Sequence, residues 1–189
     1  MTGWIVLGVF LLIILGLIIY VIMLYNGFVA LKNNINQHWS NIDVLLKQRY
    51  DELPKLIKVC EGYMQHEQKT LEAVIKARSQ VNSARTDTQK QQAQNMLTDT
   101  LKSLFMVVER YPELKADAGF RQLSNRITEI EDQIADRREL YNASVTIYNT
   151  RLEQFPDVII ARIFNFTGRE LWKIDAAHRQ DVEVSFQHN

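Results

Sequence analysis

The first 31 residues contain no Asp, Glu, Lys or Arg, and all 22 basic and 22 acidic side chains follow from Lys32 onward. From Trp4 to Tyr25 every position is apolar, aromatic or Gly. At about 1.5 Å per residue such a run makes roughly 33 Å of helix, which matches a bilayer hydrocarbon core about 30 Å thick. The pattern therefore predicts a transmembrane helix over 4–25, with Trp4 and Tyr25 at its ends and Phe10 and Tyr20 along it as the anchoring aromatics. A cleavable signal would start with basic residues and carry a shorter apolar stretch. This chain starts Met1-Thr2-Gly3, so an uncleaved anchor behind a three-residue tail (1–3) is expected.

Beyond the anchor the apolar residues recur in steps of three and four. Phe28, Leu31, Ile35, Trp39, Ile42, Leu45 and Leu46 form one stripe and predict a helix running on from the membrane to about Tyr50. Asp51 can cap a second helix with Pro54 in its first turn, so residues 49–53 read as a turn, with a kinked continuous helix as the alternative. The second helix carries Leu56, Ile57, Cys60, Tyr63, Met64, Leu71, Val74, Ile75 and Ala77, and the polar stretch 82–88 reads as a loop. A third holds Met96, Leu97, Leu101, Leu104, Phe105 and Val108, and Tyr111-Pro112 ends it because the residue before a proline is driven out of the helical region. Asp117 can cap the last helix, whose stripe runs from Phe120 through Ile127, Ile130, Ile134, Arg138, Tyr141, Val145 and Tyr148 to Phe155. The expected architecture is all-α: the transmembrane helix continues into an antiparallel up-and-down four-helix bundle over 26–156, with a tail over 157–189. Trp39, Tyr141, Tyr148 and Phe155 are its expected core aromatics.

Charge narrows the function classes. A formal net charge of zero disfavours a nucleic-acid binder driven by positive charge. The positive residues nearest the span, Lys32 and then Lys47 and Arg49, lie on its C-terminal side, which predicts a single-pass protein with its three-residue tail outside and the large domain in the cytoplasm. One cysteine, Cys60, leaves no intramolecular disulfide and fits a reducing compartment.

Catalytic patterns are missing. The chain has no GxxxxGK[ST], GxGxxG or GxSxG, and His66-Glu67 lacks the second His of HExxH. Neither a metal nor another cofactor is expected. Cys60 and His66 lie more than one and a half turns apart and point to largely different faces, so Cys60 reads as a small core residue. Polar residues in or beside the stripes are more informative: Asn34, Asp43, Arg49, Asp51, Glu109, Arg138, Asn142 and Asn149. Inside a bundle such groups disfavour wrong alignments, because they cost stability when unpaired. Arg49 and Arg138 are the expected cations, with Asp43, Asp51 and Glu109 as candidate partners.

If the helices alternate direction, the last one returns to the bilayer and delivers Val158-Ile159-Ile160-Ala161-Arg162-Ile163-Phe164-Asn165-Phe166 beside it. This segment is apolar nearly all round. Ile159, Ile160, Ile163, Phe164 and Phe166 are accordingly a candidate interface, for lipid headgroups, for a neighbouring subunit or for the chain's own bundle. Further on, Asp181-Val182-Glu183-Val184-Ser185-Phe186 alternates as a strand does, and Val182, Val184 and Phe186 are candidates for pairing with another copy or a partner's sheet edge, or else belong to a disordered terminus.

Several blocks together resemble the LemA family: Tyr25-Asn26, Leu31-Lys32-Asn33-Asn34, Trp39-Ser40-Asn41-Ile42-Asp43-Val44, Lys47-Gln48-Arg49-Tyr50-Asp51-Glu52-Leu53-Pro54, Glu109-Arg110-Tyr111-Pro112-Glu113-Leu114, Arg138-Glu139-Leu140-Tyr141-Asn142, Tyr148-Asn149-Thr150 and Phe155-Pro156. The resemblance covers residues 4–165 in order. It implies a bacterial membrane-anchored helical bundle with no securely assigned enzymatic activity. The expected function is a non-enzymatic scaffold at the bacterial cytoplasmic membrane that self-associates or recruits partners, so the expected partners are the lipid bilayer, further copies of the chain and a membrane protein. The alternative is an accessory or regulatory subunit of another membrane protein, such as a protease, a transporter or an envelope-stress component.

Overall fold

A computed structural model describes residues 2–173. Among them every regular element is helical: α1 (Thr2–Glu61), α2 (Gln68–Ser83), α3 (Asp87–Val108), α4 (Pro112–Ala116), α5 (Ala118–Glu153) and α6 (Asp157–Ile163). One long apolar N-terminal helix thus leads into a helical bundle, as the periodicity predicts. The alternating segment 182–186 lies outside the described residues.

The chain divides into two compact units, residues 2–43 with 135–171, and residues 44–134 with Trp172 and Lys173. In the first, α1 and α5 face each other antiparallel: Phe28 meets Tyr148 edge-on with ring centroids 6.1 Å apart, and Trp39 meets Tyr141 at 5.5 Å. Phe28, Ile35 and Ile42 of α1 are buried at intervals of seven, with Tyr141, Val145 and Tyr148 of α5. That spacing keeps one face of each helix inward over successive turns. α6 adds Ile160 and Ala161 to this core.

The second unit holds the four-helix core, in which α1, α2, α3 and α5 contribute Leu53, Leu56, Cys60, Val74, Leu97, Leu101, Leu104 and Ile127. The turn expected at 49–53 is absent, since α1 continues through Pro54 to Glu61. A proline inside a helix costs about 3 kcal/mol. Leu53, Leu56, Ile57 and Cys60 on either side of it are all buried, and each buried aliphatic side chain contributes about 1.5–3 kcal/mol, so packing outweighs the lost hydrogen bond. The break falls instead after Glu61, where the amides of Tyr63 and Met64 both bond to the Cys60 carbonyl, at 3.0 and 2.8 Å, and buried Met64 plugs the core beneath the turn.

The remaining boundaries follow local chemistry. The loop between α2 and α3 shrinks to three residues because Thr86 and Gln89 form a reciprocal capping box: the Gln89 amide donates to Thr86 Oγ1 at 3.2 Å, and the Thr86 amide donates to Gln89 Oε1 at 3.3 Å. Tyr111-Pro112 ends α3, with Pro112 starting the one-turn α4. Asp117 then opens α5, its Oδ1 accepting from the Phe120 amide at 2.8 Å.

Candidate functional site

Three groups of residues stand out: the exposed apolar run of α1, an aromatic and ionic cluster at the end of that run, and a polar node inside the four-helix core. Trp4, Phe10, Tyr20 and Tyr25 are all exposed, Trp4 at 80%, together with nearly every aliphatic side chain between them. An apolar surface of this length is far larger than a water-soluble protein tolerates and is what a bilayer would cover. It marks the start of α1 as a candidate membrane anchor.

At Tyr25 the run ends against the chain's own tail. Its ring lies 4.8 Å from that of Phe164 and 5.7 Å from that of Phe166, and Phe166 stacks on Phe28 at 4.9 Å with the planes 21° apart. Arg151, on the last turn of α5, places its guanidinium 5.1 Å from the centre of the Phe28 ring. Its Nε donates to Asp157 Oδ1 at 2.7 Å and a terminal nitrogen reaches the same carboxylate, so the acid that begins α6 is buried and ion-paired. Gly27 makes room for this arrangement, since a Cβ there would sit 2.9 Å from an Arg151 nitrogen. Burial within the cluster pushes the Tyr148 hydroxyl above its ordinary pKa.

Of the candidate interface residues, Ile160 is buried and Phe166 half-buried, while Ile159, Ile163 and Phe164 are exposed. The segment is therefore two-faced, a pattern its all-round apolar sequence conceals. From Phe166 the chain runs along its own unit. The Asn149 side chain accepts from the Arg169 amide and donates to the Arg169 carbonyl, both at 2.9 Å, and the Tyr141 hydroxyl donates to the Glu170 carbonyl at 3.0 Å. Asn149 thus fixes the tail. Phe155 departs from expectation: at 78% exposed it is not a core aromatic, because α5 ends at Glu153 and the stripe stops one step earlier. Trp39 is half-buried and Tyr141 and Tyr148 are buried.

In the four-helix core Arg49 is wholly buried. Its guanidinium donates to Glu131 on α5, to the Gln94 side-chain carbonyl on α3 and to Thr98 Oγ1, the last at 2.7 Å, and the Thr98 hydroxyl in turn donates to Glu131 Oε2 at 3.1 Å. Arg49 is thus an interior cation, but none of its expected carboxylates serves it. Asp43 and Asp51 are exposed, with Asp51 paired to Lys47, and exposed Glu109 pairs with Lys115. Asn34 is also exposed, and Arg138 and Asn142 are half-buried. Sequence reasoning missed Glu131 because Glu129-Ile130-Glu131-Asp132 resembles a solvated charged face. The signal available was its position beside Ile130 and Ile134, both buried.

Cys60 is buried, and desolvation, followed by the charge of neighbouring Glu61, pushes its thiol up to about 12. The thiol is kept protonated, which suits packing and opposes nucleophilic chemistry. Among the described residues no group of three or more His, Cys, Asp or Glu side chains is placed to hold a metal ion.

Comparison with known proteins sets this arrangement in a family. The magnetosome protein MamQ 2 of Paramagnetospirillum magneticum is 24% identical over 186 residues, covering 85% of this chain and 68% of that protein. Protein LemA of Metamycoplasma hominis is 26% identical over 159 residues, covering 84% and 73% respectively. The magnetosome protein MamQ of Magnetospirillum gryphiswaldense is 23% identical over 171 residues, covering 77% and 63%. The family model described as the LemA family matches residues 38–186, most of the chain, and the chain accordingly belongs to the LemA family.

Proposed function

We propose that this chain is a non-enzymatic scaffold, held in the bacterial cytoplasmic membrane by α1 with its bundle on the cytoplasmic side, where it self-associates or recruits partner proteins. The observation that carries this reading is the continuity of α1. One unbroken helix exposes an apolar run suited to lipid and then buries Phe28, Ile35 and Ile42 in a protein core. Such a helix couples a folded domain to the bilayer without a flexible linker. Arg49 is committed to Gln94, Thr98 and Glu131, and Arg151 to Asp157, so both cations serve helix packing.

The test is the mass of the full chain extracted in mild detergent. A homogeneous particle of several copies supports self-association. A single-copy particle that reproducibly carries a different membrane protein supports an accessory subunit instead. Orientation is tested by labelling Asn41→Cys from one side of the membrane in cells, where protection from an impermeant reagent until lysis is the expected result.

A further inference from the structure

We infer that the tail forms a second membrane contact: α6 and the residues flanking it seat in the lipid headgroup region through the face bearing Ile159 and Ile163. The inference rests on the reading of α1 as a membrane anchor. The exposed half of the 155–164 segment faces the bilayer interface.

Phe164 and Phe166 are in ring contact with Tyr25, the last residue of the apolar run, and Arg151, which holds Asp157 at the start of α6, lies over Phe28. Both ends of α6 are therefore tied to the single helical turn Tyr25–Phe28. A run of about 33 Å placed across a core about 30 Å thick puts that turn in the headgroup layer, which adds roughly 5–8 Å on each side of the hydrocarbon. Whatever is fixed to that turn lies at the same depth.

On α6, Ile159 and Ile163 are four residues apart and exposed, Ile163 at 64%, with Phe155 before the helix and Phe164 after it also exposed, at 78% and 47%, whereas Ile160 and Ala161 are buried against the protein. A segment with one buried and one bare apolar face has a use for a second apolar medium, and at this level lipid supplies it. Charge agrees: from Phe155 to Arg169 the sole acid is Asp157, already neutralised by Arg151, while Arg162 and Arg169 are exposed and able to meet phosphate groups.

The experiment uses the full chain in vesicles of phosphatidylethanolamine and phosphatidylglycerol, with nitroxide labels on Ile163→Cys, Ile159→Cys, Leu12→Cys or Asn41→Cys. These positions are exposed and accept a label without loss of core, and Cys60 is buried and stays in place. Collision with oxygen, which concentrates in lipid, is compared with collision with a water-soluble nickel chelate. The labels at 159 and 163 are expected to favour oxygen over nickel several-fold more than the label at 41, approaching the label at 12. Equality with the label at 41 overturns the inference and leaves the anchor intact. Shielding from both reagents, with dipolar broadening that vanishes on dilution with unlabelled protein, also overturns it and assigns the face to a second copy. If the label at 12 itself behaves as aqueous, the anchor reading falls and this inference with it.

Discussion

The Arg49 guanidinium, wholly buried, is ion-paired with Glu131, 82 positions away in the sequence. The pair joins α1 to α5, and Gln94 and Thr98 draw α3 into the same node. A cation placed this deeply is costly unless its donors are satisfied, so its value lies in specifying which helix faces meet. Glu131→Ala, which leaves the charge buried with neutral acceptors alone, is expected to cost about 3–5 kcal/mol in urea unfolding of the detergent-solubilised chain. Arg49→Met with Glu131→Leu is expected to recover most of that loss. A single substitution as mild as an ordinary surface change would remove the node from the account of the fold.

Cys60 offers a probe that needs no engineering. With its thiol buried and pushed up to about 12, it should react with a maleimide at pH 8 far more slowly in the folded chain than in urea. The linkage sign follows from the raised value: the folded state holds the proton more tightly, so this group's contribution is complete below the unfolded value near 9 and is lost as pH rises from there towards 12. Cys60→Ala is expected to flatten that part of the pH–stability curve. Labelling at the same rate in the folded and denatured chain would contradict the burial.

The helical architecture was legible because long stripes are local properties. Phe28, Ile35 and Ile42 face inward where the three-and-four spacing puts them, and Asp117 and Pro112 act as the boundary signals they resemble. Three kinds of information were not local. Pro54 reads as a terminus until the burial of Leu53 and Leu56 is known, because only tertiary packing decides whether a helix tolerates it. Arg49 can be identified as an interior cation, but the choice of Glu131 over Asp43, Asp51 and Glu109 depends on the alignment of α5, which no spacing on α1 encodes. In 158–166 the apolar composition was plain, whereas its division into a buried and a bare face required the contacts with Tyr25 and Phe28.

The Asp117 carboxylate links the Tyr63 hydroxyl to the first turn of α5. The Phe120 amide, then the Tyr63 hydroxyl and the Gly119 amide, hold its carboxyl below the ordinary aspartate value. The same bond raises the Tyr63 hydroxyl, which donates to Asp117 at 3.2 Å. A depressed carboxylate contributes fully above the unfolded value near 3.8, and its contribution is lost as pH falls through the lower folded value. The amides of Gly119 and Phe120 should therefore exchange faster with solvent relative to mid-helix α5 amides as pH drops below about 4. Asp117→Asn, which keeps an acceptor oxygen and cannot titrate, should abolish that pH dependence. Persistence of the same dependence in the Asn variant would place the acid response elsewhere.

Trp172 decides whether the tail belongs to the fold. It is buried, and its indole Nε1 donates to the Asn95 side chain at 3.3 Å, while the Asn95 amide donates to the Lys173 carbonyl at 2.9 Å, so two residues beyond the last helix are fastened to α3. Periodicity gave no reason to expect this, since an isolated tryptophan in an irregular segment fits no stripe. Removing a buried tryptophan side chain costs about 3–5 kcal/mol, and Trp172→Ala should lower the urea midpoint of the full chain accordingly. Trp172→Phe should retain most of the packing and lose only the hydrogen bond, about 1 kcal/mol. Equal stability of the Ala variant and the parent would show that Trp172 rests on α3 without supporting it.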